Sequence, residues 1–211
     1  HPKLINHTCQ DVLNSWNGKF NFIEETEDSN GLREPQIAGL YSILSHLKVG
    51  NDIGTVVMPT GTGKTETMLA TLTAHKCQKL LITVPSDALR TQIGNKFLKL
   101  GLLKDFGILE SDVLNPKVGI LKENFQSDDE LVEFIEQCNV LITTMNLLSN
   151  NDSTTLALLN DHFTNVFIDE AHHIEASSWK RVRSVFDNNK ILQFTATPFR
   201  NDRKRLEGKV I

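Results

Sequence analysis

The sequence of 211 residues has few cysteines, no long apolar run and no excess of positive charge. Its cysteines, Cys9, Cys77 and Cys138, are far apart and lack CxxC spacing, which argues against a disulfide framework or a zinc site. Apolar runs such as LLITV are much shorter than a membrane span of about 20 residues, and no signal-peptide pattern opens the chain. We therefore expect an intracellular, cytoplasmic protein with no membrane partner.

Charge gives no general support to nucleic-acid binding. Lysine and arginine total 22 against 26 aspartates and glutamates, and the formal net charge is -4. The distribution is uneven, because FRNDRKRLEGK is basic whereas EETED and SDDE are acidic. The basic run is as compatible with a solvated face as with a binding surface.

From Gly54 onward, apolar strand-like runs alternate with helix-like stretches, and no internal repeat is visible. The predicted strands are GTVVM, KLLITV, KVGIL, NVLITT, NVFID and KILQFTA. Their alternation with helices predicts a doubly wound α/β domain, in which helices cover both faces of a mostly parallel sheet. Ligands bind such sheets at the carboxyl ends of the strands, so the residues after each strand are the candidate site residues.

The stretch PTGTGKTE follows the first predicted strand and is typical of a phosphate-binding loop. Gly61 and Gly63 permit backbone conformations that direct successive amides inward, and the next helix begins beside them with its positive dipole end. Lys64 would reach the β- and γ-phosphates, and the hydroxyl of Thr65 would bind Mg²⁺. The strict pattern requires glycine where this chain has Met58, but the strand-to-helix context is complete.

The stretch NVFIDEAHHIEA brings two acids and two histidines together after a predicted strand. Taken alone, these residues fit a metal cage, a general acid–base site or the magnesium-binding end of a nucleotidase strand. The spacing disfavours a metal cage, because His172 and His173 are neighbours and no H-E-x-x-H pattern is present. Beside a phosphate loop, Asp169 would hold Mg²⁺ and Glu170 would polarise the attacking water. We assign no role to His173.

Three motifs, PTGTGKTE, DEAH and TATP, together resemble motifs I, II and III of superfamily 2 helicases and translocases of the DEAH type. The resemblance extends to LREPQ (Q motif), TVPSDALRTQ (motif Ia) and ITTMNLL (motif Ib), and covers roughly residues 32–200. The wording of MPTGTGKTE, DEAHH and FTATPFR looks most like bacterial restriction-subunit-like helicases of the type III Res kind, which act on double-stranded DNA. It implies a RecA-like P-loop NTPase fold.

The resemblance also implies ATP and Mg²⁺ as cofactors, ATP hydrolysis, and a nucleic-acid partner, for which DNA is favoured over RNA while the motifs leave the choice open. The implied catalytic residues are Glu170, Lys64 and His172, of which His172 couples nucleotide state to the nucleic-acid surface. The implied nucleotide-binding residues are Arg33, Gln36 (which reads adenine), Pro59, Thr60, Gly61, Thr62, Gly63, Lys64, Thr65 and Glu66. The implied metal ligands are Thr65 and Asp169. The implied nucleic-acid and coupling residues are Ser86, Leu89, Thr143, Thr144, Thr195 and Thr197.

For Ser86 and Leu89 a second interpretation stays open, namely helix capping and core packing. Two other classes of function also stay open. A P-loop kinase or GTPase acting on a small molecule would share Lys64 and Thr65 without requiring DEAH followed by TATP. A nucleotide-gated binding module would use the phosphate-binding loop to bind nucleotide without hydrolysing it.

The expected domain organisation is a leader over residues 1–31 and a helicase ATP-binding domain over residues 32–211. Only eleven residues follow TATPFR, so we expect the second RecA-like domain to be absent from this chain. In the family that domain supplies the arginine finger and half of the nucleic-acid track. Arg200 and Arg203 lie on the first domain and are poor substitutes for the finger. We therefore expect the isolated chain to bind nucleotide but to be nearly inactive.

Overall fold

The computed structural model describes residues 7–50 and 52–211. Its strands are β1 (Gly54–Val57), β2 (Leu80–Val84), β3 (Val118–Ile120), β4 (Val140–Thr144), β5 (Asn165–Asp169), β6 (Lys190–Thr195) and β7 (Lys209–Val210). The helices are α1 (Cys9–Ser15), α2 (Glu34–Val49), α3 (Lys64–His75), α4 (Asp87–Lys99), α5 (Asp128–Glu136), α6 (Met145–Asn150), α7 (Ser153–His162) and α8 (Ala176–Arg183). A 3₁₀ turn spans Ala171–His173. Within these residues, no helix combines the length and apolar character that crossing a membrane requires.

The strands form one sheet in the order β3-β4-β2-β5-β6-β1-β7, and every neighbouring pair is parallel. All carboxyl ends therefore lie along one edge. Strand β6 separates β1 from β5, so the loop after β1 and the acids after β5 flank the end of β6. The predicted α/β fold with a mostly parallel sheet is confirmed.

Both faces of the sheet are buried by helices. Helices α2, α3 and α4 supply apolar side chains to one hydrophobic cluster, and α5 to α8 supply them to a second cluster on the other face. Strand β2 contributes to both, because Leu80 and Ile82 belong to the first cluster and Leu81 to the second. Burial on both faces explains why the strands are nearly continuous apolar runs in the sequence.

Three elements lie outside the predicted alternation. Helix α6 has 6 residues and strand β7 has 2, which is too short for a periodic pattern to develop. In α8, the basic side chains Lys180, Arg181 and Arg183 surround the buried Trp179 and Val182 and obscure the apolar stripe.

The described part of the leader packs on the domain. Val12 and Trp16, at and just after α1, are each 1% exposed and belong to the first cluster. The indole Nε1 of Trp16 also donates to the carbonyl of Leu114 at 2.9 Å. The leader therefore contributes to the same core as the sheet, while the boundary between residues 31 and 32 stays a prediction.

We predict that Trp16→Ala lowers the free energy of unfolding by about 3–5 kcal/mol, because a large buried side chain leaves a cavity and an unpaired carbonyl. Phe22→Ala is the matched control, since Phe22 is 46% exposed, stacks on the exposed Tyr41 and meets Phe20 edge-to-face. The control should lose about 1 kcal/mol or less. Urea denaturation measures the free energy of unfolding of both variants. A loss for Trp16→Ala as small as that of the control would contradict the prediction.

Candidate active site

The loop between β1 and α3 has the backbone of an anion-binding turn. Gly61 and Gly63 have φ of +85° and +91°, a region that side-chain-bearing residues avoid. Gly63 is also the N-cap of α3, and Lys64 is the first residue of that helix. The free amides at the helix N-terminus and the adjacent lysine together favour a phosphate group.

Arg33 and Gln36, at the start of α2, hold this loop from one side. Arg33 Nη1 donates to the carbonyl of Gly61 at 3.0 Å, and Gln36 Nε2 donates to the carbonyl of Gly63 at 3.2 Å. The Gln36 Oε1 accepts from the amide of Arg33 at 2.8 Å. The structure thus brings both residues to the phosphate loop, while adenine recognition by Gln36 stays a prediction.

Other loop residues make local contacts. Pro59 and Thr60 are exposed, and the Thr62 hydroxyl donates to the Pro59 carbonyl at 2.6 Å. Glu66 forms an ion pair of 2.7 Å with Lys96 of α4, so its carboxylate already has a partner. Direct nucleotide contacts of these residues remain predictions.

Glu170 meets Lys64 at the end of β5. Its backbone adopts a left-handed conformation (φ 49°, ψ 48°), which is uncommon for a residue other than glycine and is often found at functional sites. The Nζ of Lys64 lies 2.5 Å from Oε1 of Glu170, with the two side chains 10% and 22% exposed. This partly buried ion pair joins the phosphate loop to the acidic end of β5.

Asp169, the last residue of β5, is 7% exposed and accepts from the amide of Glu170 at 3.0 Å. Burial and the adjacent negative charge of Glu170 raise the pKa of Asp169 to about 6, against an opposing effect of Lys64. A divalent cation would relieve both the desolvation and the repulsion, so Asp169 fits the predicted metal role. Thr65, the other predicted ligand, is half-buried in the first turn of α3.

His172 connects Glu170 to the end of β6. Its Nδ1 lies 3.0 Å from Oγ1 of Thr195 and 3.4 Å from Oε2 of Glu170. The Thr195 hydroxyl donates to the carbonyl of Thr197 at 2.7 Å, so it accepts from His172 and the proton is on Nδ1. Burial lowers the pKa of His172, which favours the neutral ring. Contacts thus run without a break from Glu170 to Thr197.

The predicted nucleic-acid residues follow β2 and β4 at the same edge of the sheet. Ser86 is exposed and caps α4, accepting from the amide of Leu89 at 3.4 Å, while Leu89 is half-buried against the first cluster. Thr144 caps α6, accepting from the amide of Leu147 at 3.2 Å. The structure therefore shows capping and packing roles for these residues, and their contacts with nucleic acid stay predictions.

Thr143, another predicted nucleic-acid residue, lies inside the sheet, and its contact with nucleic acid stays a prediction. It is 0% exposed, and its hydroxyl has no hydrogen-bond partner among the described residues. Because it pairs with Thr83 inside the sheet, its side chain does not reach the surface. A phosphate contact through this hydroxyl would require a change of conformation.

Asn201 makes two contacts that no motif indicates. The amide of Asn201, in the loop after β6, donates to the carbonyl of His172 at 3.1 Å. Its side-chain Nδ2 lies 3.3 Å from Nδ1 of His173. The 3₁₀ turn carrying the histidines is therefore attached to the loop after β6 as well as to Thr195.

The family model described as "Type III restriction enzyme, res subunit" matches residues 29–200. No curated protein sequence matches the chain. Solved structures do match it. The UvsW helicase from bacteriophage T4 aligns with a TM-score of 0.64 and 16% identity, over 98% of this chain and 70% of that chain.

Two archaeal proteins show the same likeness. A Sulfolobus solfataricus SWI2/SNF2 ATPase core, solved in complex with dsDNA, has a TM-score of 0.55 and 22% identity over 85% of this chain and 35% of its own. A hypothetical ATP-dependent RNA helicase from Sulfolobus tokodaii has a TM-score of 0.57 and 17% identity over 90% of this chain and 51% of its own. At these identities the likeness shows the fold, and the predicted RecA-like fold is confirmed.

We predict that Asp169→Asn stabilises the nucleotide-free chain at pH 7.5 by about 1–3 kcal/mol, since ionising this carboxyl is penalised in the folded state. The folded pKa is raised, so the penalty is complete above about pH 6 and is lost as the pH falls toward the ordinary value of 3.8. Urea denaturation at pH 7.5 and 5.0 should therefore show a smaller difference at pH 5.0. Asp105→Asn, at an exposed position, should change little. Lower stability of Asp169→Asn at pH 7.5 would contradict the prediction.

We also predict that Gly63→Ala destabilises the chain more than Gly61→Ala. Both glycines have positive φ, which costs about 1–2 kcal/mol for alanine. A Cβ at Gly63 would lie 2.1 Å from Nε2 of Gln36 and 2.7 Å from Nη2 of Arg33, whereas one at Gly61 meets nothing within 4 Å. Thermal denaturation measures the difference, and equal shifts would argue against the Arg33 and Gln36 contacts.

Proposed function

The chain belongs to the family of type III restriction enzyme res subunits, and we propose that it is the ATP-binding motor domain of a nucleic-acid-dependent ATPase, a helicase or double-stranded DNA translocase. The observation that carries the proposal is the unbroken set of contacts from Lys64 through Glu170 and His172 to Thr195. A small-molecule kinase or a GTPase would need the phosphate loop. Neither function requires contacts that continue from Glu170 through His172 to the end of β6.

In the proposed activity, the loop amides and Lys64 hold the triphosphate of ATP. Lys64 must leave Glu170 to reach the β- and γ-phosphates, because its single ammonium group is already engaged by that carboxylate. Arg33 and Gln36 hold the carbonyls of Gly61 and Gly63 and so keep the loop in its anion-binding shape. Because the loop already has this shape, ATP binding loses little free energy to ordering the loop.

Bound magnesium would supply charge neutralisation and alignment of the phosphates. Thr65 and Asp169 are the residues of this chain that fit it, since one offers a hydroxyl at the start of α3 and the other a desolvated carboxylate. Protonation of Asp169 competes with metal binding, so nucleotide affinity in the presence of magnesium should weaken below about pH 6.

Glu170, once released from Lys64, is the general base of the proposal. Its carboxylate accepts the proton of the water that attacks the γ-phosphate. His172 senses whether Glu170 is engaged, because the same Nδ1 lies within reach of Glu170 and Thr195. Thr195 and Thr197 then carry the state of the nucleotide to the surface after β6.

The proposed partner is duplex DNA. The motif wording supports DNA, and one structural neighbour is described in complex with dsDNA, although another is described as an RNA helicase. Ser86, Leu89 and Thr144 lie at the strand ends where the nucleic acid would pass. Such an activity implies a cytoplasmic protein.

A second RecA-like domain of the same protein would complete the site. The chain spans 70% of the UvsW structure but 35% and 51% of the archaeal ones. We propose that this second domain supplies the arginine finger, so that the chain alone binds ATP and hydrolyses it slowly.

The proposal predicts that Glu170→Gln lowers DNA-stimulated ATP hydrolysis of the full-length protein by at least about 100-fold, because the general base is lost. Glu175→Gln is the control, an exposed acid in the same segment, and should retain activity. Release of phosphate with and without duplex DNA, single-stranded DNA or RNA is the measurement. Full activity of Glu170→Gln, or turnover that no nucleic acid stimulates, would overturn the proposal.

A further inference from the structure

The segment after β6 forms a short basic hairpin, residues 198–206. Phe199 and Arg205 form an antiparallel bridge, and the two end residues of the hairpin are joined by a backbone hydrogen bond of 2.9 Å. Arg203, near the tip, has φ of +64°, which reverses the chain. The basic run of the sequence is therefore a folded element with a defined position.

Positive charge dominates this basic hairpin, which contains four cations and one carboxylate. The carboxylate, Asp202, is bound by the guanidinium of Arg200 at 2.9 Å, which lowers the pKa of Asp202. The next acid along the chain, Glu207, accepts from the indole of Trp179 on α8 at 2.7 Å. Three cations are exposed and form no ion pair with any acid of the described residues: Arg203, Lys204 and Arg205.

The basic hairpin lies at the edge where the proposed nucleic-acid residues are found. Neighbouring strands are about 4.8 Å apart, so the end of β6 is about 10 Å from the end of β2 and about 14 Å from that of β4. Ser86 follows β2 and Thr144 ends β4. The strand ends at which Ser86, Thr144 and the basic hairpin lie are therefore within the span of a short length of nucleic-acid backbone.

We propose that the basic hairpin is a nucleic-acid contact, in which Arg203, Lys204 and Arg205 bind the phosphates of the sugar–phosphate backbone. The proposal rests on the proposed function. The three cations lie outside the helicase-like motifs described above. Contacts of cations with phosphates are independent of sequence, which suits a motor that moves along its substrate. They also reconcile the net charge of -4 with a nucleic-acid partner, since four cations of the chain are gathered in this one hairpin.

The hairpin also has a direct route to the hydrolytic residues. Asn201, within the hairpin, donates to the carbonyl of His172, whose ring contacts Thr195 and Glu170. A displacement of the hairpin on binding nucleic acid therefore moves the turn that carries His172. By linkage, bound nucleotide changes the nucleic-acid affinity by the same factor as bound nucleic acid changes the nucleotide affinity.

Binding of a short fluorescent DNA duplex to the chain, followed by anisotropy at several salt concentrations, tests the proposal. The test variant combines Lys204→Gln and Arg205→Gln, and leaves Arg203 in place because its backbone conformation defines the turn. We expect the affinity to fall by about tenfold or more, and the slope of log affinity against log salt to decrease by about 0.9 for each phosphate contact removed.

The matched control combines Lys48→Gln and Lys99→Gln, two exposed lysines at the far ends of α2 and α4, and should bind duplex like the unaltered chain. Affinity for a fluorescent ATP analogue is measured on the same samples and should be equal in all of them. Equal losses in both variants, no loss in the hairpin variant, or no duplex binding by the unaltered chain would overturn the proposal.

A hairpin variant that loses ATP affinity instead of duplex affinity would assign these cations to the nucleotide and would also overturn it. If the unaltered chain binds duplex through the basic hairpin but does not bind the ATP analogue, the proposed function fails while the hairpin contact stands. The two proposals are therefore separated by one set of samples.

Discussion

The ion pair between Lys64 and Glu170 joins residues that are 106 positions apart in the chain. It exists because the parallel sheet places the carboxyl ends of β1 and β5 on either side of β6. Without nucleotide, each charge neutralises the other in a setting where an isolated charge would be costly. In the proposed mechanism ATP would replace this contact, because the same carboxylate engages the ammonium group of Lys64 when no nucleotide is bound.

The same geometry links the phosphate loop to the residues after β6. The Nδ1 of His172 lies 3.0 Å from Oγ1 of Thr195 and 3.4 Å from Oε2 of Glu170, and the backbone amide of Asn201 donates to the carbonyl of His172. In the proposed mechanism, loss of the Lys64 contact would change the charge that faces His172. A motor domain needs a connection of this kind, because ATP hydrolysis produces movement only when it changes the affinity for the nucleic acid.

The sequence predicts the fold and the acidic site residues better than the contacts between distant segments. Doubly buried strands produce apolar runs, and Asp169 and Glu170 stand where one such run stops, so fold and acids are visible without coordinates. The burial of Thr143 is not visible, because it depends on β2 lying beside β4, a register set by the whole sheet. Hydrogen bonds between segments distant in sequence are likewise not visible. They join Arg33 and Gln36 to the phosphate loop and Asn201 to His172. The basic hairpin shows as composition, but its shape follows from a backbone reversal at a non-glycine residue.

The ATP affinity of Glu170→Gln, compared with that of the unaltered chain in the presence of magnesium, tests the central claim most directly. Glutamine keeps the size of the side chain but removes the charge that competes with the phosphates for Lys64. Titration with a fluorescent ATP analogue should show several-fold tighter binding by the variant, and no such gain for Glu175→Gln. Equal or weaker binding by Glu170→Gln would mean that the ion pair does not hold the empty site, and would contradict the account.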